Sequence, residues 1–423
     1  MTNKTMVTGI KCLNCGSELP EGQFFEGCKE CRTEKFVSNM TVKYDYGRIK
    51  NVVTKGLLKS RNHDLWRYKE LLPVDPNFIV SMGEGGTPLI QCFKLAKYLN
   101  LPQLYIKDES RNPTWSFKDR INSVAISKAC EFGASTIVIA STGNHGASTA
   151  AYAARAGLPC IVLTLESVPQ TMKVLMQAYG AKVVACKTLK ERWDLMSKGI
   201  KKYGWYPTSN YVYPPVGSNY YGVEGCKTIA FEIAEDLGWE VPDVVIVPVA
   251  FADGLSGVWK GFKELVELGF VTHLPRMVAV EPFGPLANAL EKGVNYVEEV
   301  PIKNSVAISI ASNISTYQGL KALVDSGGTA VTVTDRELME MQLKLAKLEG
   351  IYAEVSSVAS LVGAGKLRDS GWIQPKERIV CMTTSSGLKD PNTTANNLPE
   401  VPTAGHSIEE LMIILKETYD FVV

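Results

Sequence analysis

Two groups of residues in this chain have the types and the spacing to do chemistry. The first is Lys118, in Asn112-Pro113-Thr114-Trp115-Ser116-Phe117-Lys118-Asp119-Arg120. Asn112-Pro113 signals a turn, because Asn closes local hydrogen bonds and Pro restricts the residue before it. Thr114 or Ser116 can then cap a helix that Phe117, Ile121 and Ala125 continue at helical spacing. A lysine at that helix start meets free backbone N–H groups and the positive end of the helix dipole. Both, with burial, favour a neutral, nucleophilic amine, the form that Schiff-base chemistry requires. The plain alternative is that Lys118-Asp119-Arg120 is a solvated charge run.

The second group is Cys12-Leu-Asn-Cys15 and Cys28-Lys-Glu-Cys31, two knuckles separated by twelve residues. Each turns tightly enough to aim two thiolates at one point, so the pair supplies a tetrahedral set for a structural zinc. Two disulfides, or a site that has lost its metal, are the alternatives. Cys92, Cys130, Cys160, Cys186, Cys226 and Cys381 are scattered, mostly in apolar segments, and read as small core residues. No dense basic and aromatic face accompanies the knuckles, so no nucleic-acid partner is expected.

The elements that must position these residues come from an ordinary globular composition. The 423 residues suffice for two or three lobes around a large core. A net charge of +1 gives no reason to expect polyanion binding. No apolar run reaches spanning length and the N-terminus lacks a signal-peptide apolar region, so a cytoplasmic setting without membrane contact is expected.

After a mixed extension, in which His63 to Tyr68 with Leu71-Leu72 reads as a docking segment, the chain alternates strands and helices. Strands are expected at 103–106, 135–140, 159–164, 181–186, 244–249, 277–280 and 379–383. Helices are expected at 116–132, through 156, at 170–180, from 189, at 256–268 and at 336–348. Apolar strands between helices indicate parallel sheets covered on both faces. The expected organisation is a zinc-ribbon-like segment at 1–38, a docking extension at 39–80, and a two-lobed catalytic body at 81–400. A small lobe at about 130–226 would be inserted in that body, and 401–423 would form a peripheral helix.

In such sheets ligands bind beyond the carboxyl ends of strands, at helix N-termini. Three loops fall there. Ser141-Thr142-Gly143-Asn144-His145-Gly146 can hold a carboxylate through its amides, or be a plain capped helix start. Ala250-Phe251-Ala252-Asp253-Gly254 can cradle a phosphate. Thr383-Thr384-Ser385-Ser386-Gly387 sets neutral hydroxyls at a rim. One lysine, a phosphate cradle, a carboxylate loop and a hydroxyl loop together suggest pyridoxal phosphate held by Lys118.

At this level of detail the sequence resembles the threonine synthase family of fold type II pyridoxal-phosphate enzymes. The resemblance runs over nearly the whole chain. It rests on Leu65–Tyr68, Gly83-Glu84-Gly85-Gly86-Thr87-Pro88-Leu89, Asn112–Arg120, Ser141–Asn144, Glu224-Gly225-Cys226-Lys227-Thr228, Ser326–Ala330 and Gly387-Leu388-Lys389-Asp390-Pro391. It implies two parallel-sheet α/β lobes, as in the tryptophan synthase β chain, and a homodimer. It also implies that Lys118 anchors the cofactor and then moves the substrate's α-proton. Asn144 would meet the cofactor's ring hydroxyl, the 250–254 loop its phosphate, and Thr384 its pyridine nitrogen. Trp115, Ser116, Ser141, Thr142, Gly143 and His145 fall on the substrate side.

The chain also departs from the family pattern. Trp115 and the alanines of 250–252 replace glycines. His145 follows the loop asparagine as in threonine dehydratases, and Gly222 stands where an arginine usually holds the substrate's phosphate. The expectation drawn from these departures is β- or γ-elimination or replacement on an amino acid other than O-phosphohomoserine. Threonine synthase proper is the first alternative and an amino-acid dehydratase or ammonia-lyase the next. A zinc-ribbon binding protein or an inactive relic is the non-enzymatic alternative.

Overall fold

The computed structural model describes residues 5–421. Its centre is a six-stranded sheet in the order Thr329–Thr332, Arg276–Glu281, Val244–Pro248, Arg378–Thr383, Gln103–Asp108 and Leu89–Gln91. All neighbours are parallel except the short edge strand Leu89–Gln91. The apolar runs serve both faces at period two. Val245 and Val247 join a core with Leu255, Phe262 and Phe231, while Val244 and Ile246 join one with Leu338, Leu361 and Leu367. A second, four-stranded parallel sheet orders Lys182–Cys186, Cys160–Leu165, Ile137–Ala140 and Tyr206–Pro207.

Three helices tie the catalytic stretch to the large sheet: Lys118–Glu131, Tyr220–Asp236 and Asp253–Glu267. The middle one approaches the first at glycine. A Cβ on Gly225 would lie 1.9 Å from the Arg120 carbonyl oxygen, and one on Gly222 2.9 Å from Ile121. No larger residue fits there without separating the helices.

The N-terminal segment is a three-stranded antiparallel sheet of Glu18–Leu19, Val7–Cys12 and Met40–Tyr44. Met40–Tyr44 pairs with Val7–Cys12, so this sheet crosses the boundary expected between 38 and 39. Residues 137–207 build the smaller sheet, and Tyr220–Asp236 runs unbroken through 226, the expected edge of that lobe. The chain divides after Asp390, earlier than the 400 expected, into a large unit and a second that starts at Pro391. Within the latter, Ile408–Tyr419 is helical with Ser407 as cap. No helix among the described residues is long and apolar enough to cross a membrane.

Candidate active site

Lys118 is the first residue of its helix, as the turn signal predicts, and it is half-buried. The Ser116 hydroxyl accepts from the Lys118 amide at 3.2 Å, while Phe117, which makes no side-chain cap, holds the N-cap position in place of the expected Thr114 or Ser116. The charge-run alternative fails on its flanking residues. Asp119 is buried and accepts from the Thr114 amide at 2.6 Å, the Thr114 hydroxyl at 2.5 Å and Ser148 at 2.6 Å. Burial raises its pKa to about 6 against those donors. Arg120, fully buried, is gripped by Glu109 at 2.7 Å and Glu232 at 2.6 Å. Glu232 also takes Lys107 at 2.9 Å. The lysine is thus followed directly by two side chains anchored in the core, which fixes where its amine can reach.

Lys118 opens on a cavity of 370 Å³ at the carboxyl ends of the strands of both sheets. That volume lies within the range of small-molecule sites, about 300–1,000 Å³. Its Nζ stands 4.6 Å from the centroid of the Phe117 ring. Ser141, Thr142, Gly143, Asn144 and His145 line the cavity from the smaller sheet. Ala250, Phe251, Ala252, Asp253, Gly254 and Thr384 line it from the larger one. Trp115 and Ser116 are not among the lining residues. Trp115 is 44% exposed, with φ at +61°, and its carbonyl accepts from Ser386 N at 3.1 Å and Ser385 Oγ at 3.0 Å. That left-handed backbone explains glycine as the family's usual residue there.

The Ser141 hydroxyl accepts from the Gly143 and Gly146 amides, at 3.2 and 2.9 Å, and so serves as a cap. The amides of Asn144 and His145, in the first turn of the helix Asn144–Arg155, have no intrahelical partner. Asn144 donates to Glu354 at 2.7 Å and accepts from Ser385 at 3.2 Å. The His145 ring is buried with Nε2 unpartnered. Burial, then the Lys118 charge, holds its pKa well below the ordinary histidine value, so the ring is neutral. The Thr384 hydroxyl lies 2.8 Å from that of Ser357.

The 250–254 loop fits a phosphate. The Ala250 and Phe251 carbonyls each accept a hydroxyl at 2.7 Å, from Ser315 and Thr316. Because trans peptides set N–H opposite C=O, the amides of Phe251 and Ala252 point away from those hydroxyls. The amides of Asp253 and Gly254 follow at the open start of their helix. The Asp253 carboxylate is turned aside, accepting from Ser218 at 2.9 and 2.6 Å and from Gln318 at 2.7 Å. Ala252 takes φ of +58°, and Gly319 leaves room for its methyl, since a Cβ at 319 would come within 2.4 Å of it.

At the N-terminus Cys12, Cys15, Cys28 and Cys31 converge, with all four sulfurs within 4.8 Å of one another. Cys12 and Cys31 are 3.7 Å apart and Cys15 and Cys28 3.8 Å. A tetrahedral zinc with bonds of about 2.3 Å requires edges near 3.8 Å, so the set fits that metal. All four are free thiols, which removes the disulfide alternative.

The anchored lysine, the amide-lined loop and the neutral hydroxyl at Thr384 define a fold type II pyridoxal-phosphate-dependent enzyme. The family described as pyridoxal-phosphate dependent enzyme matches residues 80–385. Curated relatives include the threonine synthase of Methanocaldococcus jannaschii, 40% identical over 96% of this chain and 99% of that protein. That of Methanosarcina acetivorans is 37% identical over 95% and 97%. This chain belongs to the threonine synthase family of those enzymes. Among solved structures, maize serine racemase shares the fold at a TM-score of 0.63 and 20% identity, over 74% of this chain and 91% of that one. A threonine deaminase from Solanum lycopersicum does so at 0.61 and 22%, over 73% and 87%.

Ser385, from the hydroxyl loop that the sequence set at the rim, meets Asn144, whereas sequence reasoning missed Glu354 and Ser357, which hold Asn144 and Thr384. It also missed Arg192, which lines the cavity from the helix Leu189–Tyr203. Nothing in the local pattern singles out Glu354, Ser357 or Arg192.

Proposed function

We propose that this enzyme converts O-phosphohomoserine to threonine, losing phosphate from the γ-carbon and adding water at the β-carbon. Full-length similarity to proteins named threonine synthase supports the reading, and it reverses the expectation of a different substrate. The observation that carries it is Lys118, locked by Asp119 and Arg120 at the mouth of a cavity with two amide-lined anion sites.

When bound, pyridoxal phosphate supplies an electron sink for charge developed at the substrate's α-carbon. The Phe251 to Gly254 amides would hold its phosphate, Asn144 its ring oxygen and Thr384 its ring nitrogen. A hydroxyl at Thr384, shared with Ser357, leaves that nitrogen without a carboxylate partner, which favours elimination and replacement over transamination. The Lys118 amine would take the substrate's α-proton and return it. The Asn144 and His145 amides bind the substrate carboxylate. His145 stays neutral beside Lys118, so it adds no competing positive charge.

The test is direct. Purified holoenzyme should release phosphate and form threonine from O-phosphohomoserine, and borohydride should fix the cofactor to Lys118. K118A should stay folded and take up no borohydride-stable cofactor. Absence of threonine, with 2-oxobutanoate formed from threonine instead, would favour the dehydratase reading that His145 suggests. The Cys12, Cys15, Cys28 and Cys31 set is proposed to hold one structural zinc. A homodimer is proposed too, for light scattering to check.

A further inference from the structure

Arg192 stands in the first turn of Leu189–Tyr203, a helix whose start is set by a capping box between Thr188 and Glu191. Its neighbour Trp193 packs on Phe251 of the phosphate loop, with ring centroids 6.1 Å apart. The Arg192 side chain lines the Lys118 cavity and is 4% exposed. Its Nε and Nη1 are buried without a hydrogen-bond partner. Other buried arginines each keep a carboxylate: Arg120 has Glu109 and Glu232, and Arg67 has Glu235 at 3.0 Å. Burial with no such partner lowers the Arg192 pKa to about 10.

A desolvated guanidinium left without an anion is costly. A fold retains one where a ligand completes it. The cofactor's phosphate already has the amides of Phe251 to Gly254, and the substrate's carboxylate has those of Asn144 and His145. A third anionic group is therefore what this cavity still has a receptor for. The planar fork of an arginine suits the paired oxygens of a phosphoryl group.

We infer that Arg192 is a specificity-determining residue that receives the distal phosphoryl group of the amino-acid substrate. This rests on the elimination and replacement reading above, and it assigns the residue that selects phosphorylated substrates. Arg192 bonds two phosphoryl oxygens, neutralises the group while it is bound, and holds the γ-carbon where Lys118 can act on the α-proton.

The test uses holoenzyme and three unreactive probes: an ω-phosphono amino acid, its dicarboxylic counterpart and the neutral alkyl isostere. Each is titrated against the cofactor's absorbance. R192Q should weaken the phosphonate on the order of 10²-fold, the scale for removing one partner of a buried charge pair. The neutral isostere should change less than about threefold. R192K should recover part of the phosphonate binding, and cofactor content should stay at wild-type level in both variants. Equal weakening of phosphonate and isostere, or loss of cofactor in place of probe affinity, would overturn the inference. So would a wild-type preference for the dicarboxylic probe. If R192Q does not accumulate folded, dicarbonyl labelling of wild-type Arg192 decides. The phosphonate should slow that labelling and the isostere should not; equal rates with both would refute the assignment. Should O-phosphohomoserine not turn over while Arg192-dependent phosphonate binding persists, the substrate reading fails and the Arg192 assignment stands.

Discussion

Replacing Glu281 by glutamine should remove a pH-dependent cost that the native fold carries at neutral pH. Glu281 ends the strand Arg276–Glu281, is 1% exposed, and does not itself line the Lys118 cavity, although Phe283 two residues on does. Its Oε1 accepts from the Leu286 and Ala287 amides, both at 2.9 Å, at the start of Pro285–Lys292, while Oε2 is buried without a partner. Burial raises its pKa from 4.5 to about 7, against the help of the two amides. Between those values the unfolded chain releases the proton and the folded chain keeps it. Stability therefore falls as pH rises through that window, and the loss is complete above about 7. A shift of that size corresponds to about 3 kcal/mol at 1.36 kcal/mol per unit. Glutamine keeps the accepting oxygen and cannot ionise. The difference in urea-unfolding free energy between E281Q and wild type should be small near pH 4 and grow to about 3 kcal/mol by pH 8. Taking the difference cancels the slopes of all other carboxylates. A difference that does not change with pH would refute the assignment of the shift to Glu281.

E232Q should lose about 3–5 kcal/mol, since Arg120 and Lys107 would keep their buried charges with one carboxylate fewer. Arg120 and Lys107 hold Glu232 well below the usual carboxylate range despite its burial, so its contribution is full above pH 4.5. It fades as pH falls below that, and the gap between wild type and E232Q should narrow in acid; a constant gap would contradict this. At Trp115, glycine should be more stable than alanine by about 1 kcal/mol, because only glycine takes φ of +61° freely. Thermal melts showing the reverse order would place that backbone in an ordinary region. Metal analysis of the purified protein should find one zinc per chain, and C28S should lose it together with thermal stability; unchanged metal content would move the ion elsewhere.

Most of the parallel-sheet scaffold was legible because its strands are short runs with apolar centres. Val244–Pro248 and Arg378–Thr383 lie within a residue of where composition places them. Lys118 at its helix start was legible too, since a turn signal is local chemistry, although the cap fell on Phe117 and not on Thr114 or Ser116. Tyr220–Asp236 was not. It is buried on every side and carries Glu224, Lys227 and Glu232 inward, so no amphipathic period marks it. Its charges are matched by partners far along the chain, Lys227 by Glu264 at 3.0 Å and Glu232 by Arg120. Arg192 was hidden the opposite way, as one cation among many in an amphipathic helix. The doubt raised by Gly222 has a physical counterpart: that position is a helix crossing with no space for a side chain.

The methyl of Ala252 and the bare backbone of Gly319 fill one space between two elements. Residue 319 would therefore act as a remote adjusting screw for the phosphate seat proposed at 250–254. A methyl added there must push Ala252 and the amides beside it, and removing the Ala252 methyl should relieve the pressure. G319A alone should loosen pyridoxal phosphate, while A252G combined with G319A should restore it. On the proposed assignment of the 250–254 loop to the cofactor's phosphate, affinity for the cofactor would then be tuned from a residue outside that loop.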